Sequence, residues 1–261
     1  MVGGSRSPGG RWEGARRMAA RRGFTLVELL TVIAIVAILS GMLLGSVSHA
    51  MHRGKRVRCA SNLKQLITAA HLYAADNHGR YSDARAQGAR DLNYLWSYSG
   101  RATGTFLCPS TRNRVSGALD GNGRLKDLKE MAGNRNGAGV SYLLCAFMGW
   151  KTPYFTDFPG PNGDERVYSV LKTEATVSTY VHYHSEFNLK GVVPGPAGIF
   201  LLTDNTWSGT QDWPDPEDNH GSSGANAVFL DGHAEWIPSR RFVFAYELSQ
   251  DDGRSTIEPN R

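Results

Sequence analysis

The stretch RRGFTLVELLTVIAIVAILSGMLLG, residues 21–45, decides how the rest of the chain is read. From Phe24 to Val47 the only charged side chain is that of Glu28. At about 1.5 Å rise per residue this run spans roughly 36 Å as a helix, enough to cross a bilayer core with tilt. A transmembrane helix is therefore expected over 24–47. Arg16, Arg17, Arg21 and Arg22 precede it and His49, His52, Arg53, Lys55, Arg56 and Arg58 follow it, so flanking charge alone does not fix its orientation. A carboxylate within such a run is costly unless paired, which makes Glu28 a functional candidate. The plainer alternative is that it snorkels to the interface from near the helix end.

The remaining composition describes a protein with a packed core: of 261 residues, 41% are hydrophobic and 20% charged. The formal charge of +5 does not indicate a nucleic-acid groove, because residues 1–23 hold six Arg and one Glu and the rest of the chain is balanced. No nucleic-acid partner is expected.

A secretory signal places its small-residue cleavage site after an apolar stretch of about 7–15 residues. Here the apolar run is longer, and the small residue at the junction, Gly23, comes before it. With GFTLVE at that junction, the segment resembles the N-terminal signal of type IV prepilins and type II secretion pseudopilins. The resemblance implies cleavage between Gly23 and Phe24 by a prepilin peptidase and N-methylation of Phe24. It also implies that Glu28 pairs with a neighbouring subunit's N-terminal amine during assembly. Residues 1–23 are then a basic leader. MAARRGF from Met18 would already be a complete one, leaving residues 1–17 as a misplaced start or a real extension. GMLLG, Gly41–Gly45, fits a small-xxx-small contact and equally a softened helix.

Beyond Val47 the sequence turns polar but keeps Val57, Ala60, Leu63, Leu66, Ile67, Ala70 and Tyr73 or Ala74 at helical spacing. An amphipathic continuation over 48–78 is expected, ended by DNHG at Gly79. Residues 79–261 would form a globular head with a C-terminal hairpin around 225–237. The fold class is read as α+β, a long helix packed on an antiparallel sheet. Asp231-Gly232, between AVFL and HAEWI, is read as a two-residue type I′ turn.

CASNLKQLITAAHLYAADNHGRY, with Cys108-Pro109-Ser110 and a histidine set before Asp-Gly, resembles a subgroup of pilin-like proteins abundant in planctomycete-type bacteria. That subgroup has nine residues between the histidine and Asp-Gly, whereas ten separate His220 from Asp231 here. Residues 111–197 resemble nothing identifiable. Cys59, Cys108 and Cys145 make an odd count for an oxidising compartment. A Cys59–Cys108 bridge and buried free thiols both remain open. No CxxC spacing suggests structural zinc. His220, Asp231 and Gly232 read first as a hairpin with a hydrogen-bonded histidine. The second reading is a cation, calcium by its oxygen donors, near Asp204 and Asn205 with His220, Asp231 and His233. No cofactor is otherwise expected.

The sequence carries no nucleophile elbow, phosphate loop or zincin helix, so an enzyme is not expected. GNRNGAG (133–139) and QDWPDPEDNHG (211–221) read as loops, and Tyr154, Phe155, Trp207 and Trp213 as aromatics buried against the sheet, with an exposed binding patch as the second reading. The function implied is a structural subunit whose partners are prepilin peptidase, other pilin-like subunits, inner-membrane assembly machinery and membrane lipid. It would be a single-pass inner-membrane protein with a cytoplasmic leader and a periplasmic head, in a secretion pseudopilus or a pilus-like filament. A membrane-anchored periplasmic binding module that never polymerises is the alternative.

Overall fold

The computed structural model describes residues 24–83, 91–129, 131–132, 135–149, 157–159, 166–168, 170–204, 214 and 218–251. The chain divides into two units, Met1–Ser48 and His49–Arg261. Helix α1, Leu26–Asp76, contributes to both.

In the first unit, every described side chain of residues 24–43 is exposed, Leu26, Ile38 and Met42 among them. The helix is long and apolar enough to cross a membrane by length and composition. In the second unit α1 changes character. Cys59, Leu63, Leu66, Ile67, Ala70, Tyr73 and Ala74 are buried in one apolar cluster, a stripe at three- and four-residue intervals. Burying a leucine of this stripe contributes roughly 1.5–3 kcal/mol, far more than helix propensity, so packing decides where this half of the helix persists. Val57 departs from the expected stripe and is exposed, its place taken by Cys59. The chain leaves α1 through two residues with positive φ, His78 and Gly79, and the Gly79 N–H donates to the Ala74 carbonyl at 2.9 Å.

The head is built on a four-stranded antiparallel sheet. Strand β1 (Tyr142–Leu144) pairs with β6 (Phe200–Asp204), β6 with β7 (Gly224–Phe229), and β7 with β8 (Ala234–Pro238). Two short ribbons flank it in sequence: β2 (Phe147–Met148) with β5 (Val170–Leu171), and β3 (Asp157–Pro159) with β4 (Arg166–Tyr168). Short helices α2 (Asn93–Tyr98) and α3 (Glu174–Thr179) lie in the connections, and α4 (Ser239–Gln250) follows β8.

Alternation along the strands sends side chains to two apolar layers. Tyr142, Leu144, Leu202 and Val228 join the layer of α1, while Leu143, Phe200, Ala225, Ala227, Phe229 and Ile237 join Phe242 and Ala245 of α4. The fold is thus α+β, a long helix and an antiparallel sheet, an arrangement consistent with a pilin-like architecture. The β7–β8 turn is not type I′. Phe229 N–H donates to the His233 carbonyl and Gly232 N–H to the Phe229 carbonyl, both at 2.9 Å, and only Gly232 has positive φ (92°). This is a three-residue loop with glycine in the left-handed position, which accommodates the extra residue that a two-residue turn would exclude.

A polar cluster closes the far end of α4. The buried Asp251 accepts from the Tyr180 hydroxyl, the backbone N–H groups of Tyr183 (2.7 Å) and His184 (2.9 Å), and His184 Nδ1 (2.8 Å), while His182 Nδ1 lies 3.1 Å away. Burial alone would raise its carboxyl, but these bonds outweigh burial and hold it below the usual range. For His184, burial would lower the imidazole, and the bond to Asp251 instead leaves it raised. A depressed carboxyl stabilises the fold above its unfolded value, near 3.9, and the contribution is lost as pH falls through the folded value. A raised imidazole stabilises below about 6.5 and is lost as pH rises through the folded value. Thermal melts across pH should therefore show this cluster contributing most between about pH 4 and 6.5, and Asp251→Asn should flatten both limbs.

Candidate functional site

At the start of α1, Thr25 and Glu28 form a reciprocal cap. The Glu28 backbone N–H donates to Thr25 Oγ1 at 3.2 Å, and Glu28 Oε2 accepts from Thr25 N at 2.9 Å and from Thr25 Oγ1 at 2.8 Å. This is a capping box, written in sequence as Thr-x-x-Glu, and it satisfies two backbone donors that a helix start otherwise leaves open. Glu28 therefore has a local structural role that its position in an apolar run does not reveal. Phe24, next to the expected cleavage point, is exposed; Gly23 and the leader lie outside the described residues.

The second site lies in the head, on the α1 face of the sheet. Cys59 comes from α1, Cys108 from the loop after a short 3-10 turn, Asp204 from the end of β6, and His220 from the turn before β7. One ligand atom from each lies within 4.8 Å of all the others. Cys59 Sγ is 2.7 Å from Asp204 Oδ1, His220 Nε2 is 3.3 Å from Asp204 Oδ2, and Cys108 Sγ is 3.5 Å from His220 Nε2. Strand pairing explains the convergence: β6 and β7 run side by side with Thr203 opposite Ala227, which puts Asp204 beside Asn226. The Asn226 N–H and amide donate to Asp204 Oδ2 at 2.6 and 2.9 Å.

An outer layer holds these groups in place. Ser110 Oγ is 3.1 Å from His220 Nδ1, and the Ser110 N–H donates to Cys108 Sγ at 3.4 Å. The Tyr142 hydroxyl is 3.4 Å from Cys59 Sγ. Trp236 meets His220 edge to face at 5.5 Å and carries the Arg56 guanidinium over its ring at 3.9 Å. Burial pushes the Cys59 thiol well up. Hydrogen bonding with Cys59, aided by His220, holds the Cys108 thiol down to about 6. Burial would lower His220, yet its bond to Cys108 and the Asp204 charge leave it raised.

Asp204 and His220, read from the sequence as cation donors, are brought together. Asp231 is not with them: it sits at the hairpin tip, its Oδ1 2.5 Å from Nδ1 of His233, which stacks on Phe229. The two ends of the His-Asp-Gly pattern thus do separate work, the histidine in the buried cluster and Asp-Gly in the turn. Cys59 and Cys108 share the cluster as thiols, with no bridge between them, and Cys145 is a buried thiol elsewhere. Tyr154, Phe155, Asn205, Trp207 and Trp213 lie outside the described residues.

The helix start and the residues just before it in sequence carry the family signal. Residues 18–44 match the family described as the prokaryotic N-terminal methylation motif, which supports a type IV pilin-like protein. That motif implies processing by prepilin peptidase and association with other pilin subunits, and with the apolar helix it suggests a membrane-anchored protein. Pilin-like proteins are structural rather than enzymatic. No curated protein and no solved structure matches the chain.

Proposed function

We propose that the protein is a structural subunit, cut between Gly23 and Phe24, N-methylated on Phe24, and assembled through α1 into a type II secretion-like pseudopilus or type IV pilus-like filament. The observation that carries this reading is the methylation motif at 18–44 running directly into a helix whose apolar side chains are all exposed over 24–43. Such a surface belongs in lipid or against other apolar helices. Before assembly the helix crosses the inner membrane, with the leader cytoplasmic and the head periplasmic. In the filament, contacts with neighbouring copies of α1 replace lipid, and Glu28 meets the amine of an adjacent Phe24.

Mass spectrometry of the protein isolated from its native membrane tests the first step. The expected N-terminal peptide begins at N-methylated Phe24. A chain still beginning at Met1 or Met18 would reject the processing route and leave an anchored head that does not polymerise.

A further inference from the structure

We propose that Cys59, Cys108, Asp204 and His220 form a zinc site that fastens α1 to the sheet within the head. The donor set is the first reason. Two sulfurs, one imidazole and one carboxylate suit zinc in a four-coordinate tetrahedral site, whereas calcium takes oxygen ligands only.

Geometry is the second reason. Zinc-ligand bonds to nitrogen and oxygen of about 2.0–2.2 Å put those two atoms roughly 3.3 Å apart across a tetrahedral edge, and a sulfur and a nitrogen roughly 3.5 Å apart. The observed His220–Asp204 and Cys108–His220 separations are 3.3 and 3.5 Å. The Cys59–Asp204 contact, 2.7 Å, is a thiol donating to the other carboxylate oxygen, Oδ1, and it is given up once zinc replaces the thiol proton and is bound through Oδ2. Binding releases the Cys59 proton, and any proton on Cys108 or His220 Nε2, to water.

The outer layer is the third reason. A ligating histidine usually has its other ring nitrogen held by a hydrogen-bonding partner, which fixes the ring and its tautomer. Ser110 Oγ does this at Nδ1 of His220, leaving Nε2 facing Cys108 Sγ, Asp204 Oδ2 and, at 3.4 Å, the Asn226 amide, which zinc would displace from it. The Ser110 N–H to Cys108 Sγ bond stabilises a thiolate, and the Asn226 donors orient the Asp204 carboxylate. Cys108-Pro109-Ser110 thus supplies one ligand and the partner of another.

A disulfide is the competing use of the same sulfurs, and it gives His220 and its Ser110 support no part. The test uses the full-length chain, purified in detergent without chelator. Zinc content is measured, the metal is stripped under reducing conditions, and Co²⁺ is added. The expected results are about one zinc per chain and, with cobalt, the thiolate charge-transfer and visible bands of a tetrahedral site. Cys108→Ser and His220→Ala should lose or shift those bands, and Cys145→Ser should keep them. If either ligand variant fails to fold, the wild-type cobalt spectrum decides alone. A folded, reduced chain that takes up neither Zn²⁺ nor Co²⁺ would overturn the site. So would an isolated protein carrying a Cys59–Cys108 disulfide and no metal, or cobalt bands that Cys108→Ser leaves unchanged.

Discussion

Glu28→Gln is expected to stop incorporation of the processed chain into filaments while leaving cleavage at Gly23 intact. The pair Glu28→Gln and Glu28→Ala separates the two roles of this side chain. Glutamine is the other residue that closes a capping box, so the bond from Thr25 N–H survives and only the charge is lost. Alanine loses both, leaving the Thr25 N–H without its side-chain acceptor. If charge pairing with a neighbour's amine drives assembly, both variants should reduce sheared filament yield to background. If the carboxylate serves only as a cap, Glu28→Gln should assemble like the parent chain, which would refute the assembly role. Cross-linking of membrane-extracted subunits and electron microscopy of sheared material would read the outcome.

The largest stability loss is expected at Asp251. Its φ of 51° is tolerated by Asp and Asn but penalises alanine, and its carboxylate accepts from Tyr183 N, His184 N and His184 Nδ1. Asp251→Ala removes an acceptor shared by buried donors and should cost about 3–5 kcal/mol. In a head of this size that is on the order of 10 °C in Tm. Asp251→Asn keeps the backbone conformation and an acceptor, so it should lose well under half as much. Equal losses for the two variants, measured by differential scanning calorimetry, would show that the hydrogen bonds are not what holds this end of α4.

What was legible in the sequence was local. The apolar run from Phe24 and the stripe of Leu63, Leu66, Ile67 and Ala70 follow from periodicity, and they are where the helix and its buried face are found. The Thr25–Glu28 cap was equally local, and its Thr-x-x-Glu signal was present but overshadowed by the cost of a charge in an apolar helix. The cysteine-histidine-aspartate cluster was only half legible. Asp204 and His220 were identifiable as donors, but the His-Asp-Gly pattern grouped Asp231 with His220, and Cys59 and Cys108 were legible only as a candidate pair of sulfurs. β7 holds six residues, so at roughly 3.3 Å per residue it carries Asp231 about 20 Å from its start, toward the opposite end of the sheet. The cluster depends on β6 lying beside β7 and on α1 crossing their face, and neither is encoded in any short window. The Asp251 cluster has no motif at all: its donors come from residues 180–184, some 70 positions upstream, and meet it only after folding.

The sheet lies between two helices, α1 over one face and α4 over the other. Its flat surfaces are thereby spent on the interior, and whatever the head recognises must be read by its rims and connecting loops. Residues 111–141, with their isolated bridges in place of long strands, form the largest such connection among the described residues. That connection is pinned to the α1 layer by Leu125, Leu128 and Val140, so the part of it that can change in chemistry without disturbing the layers beneath is the exposed stretch before those anchors, residues 116–119 and 121–123.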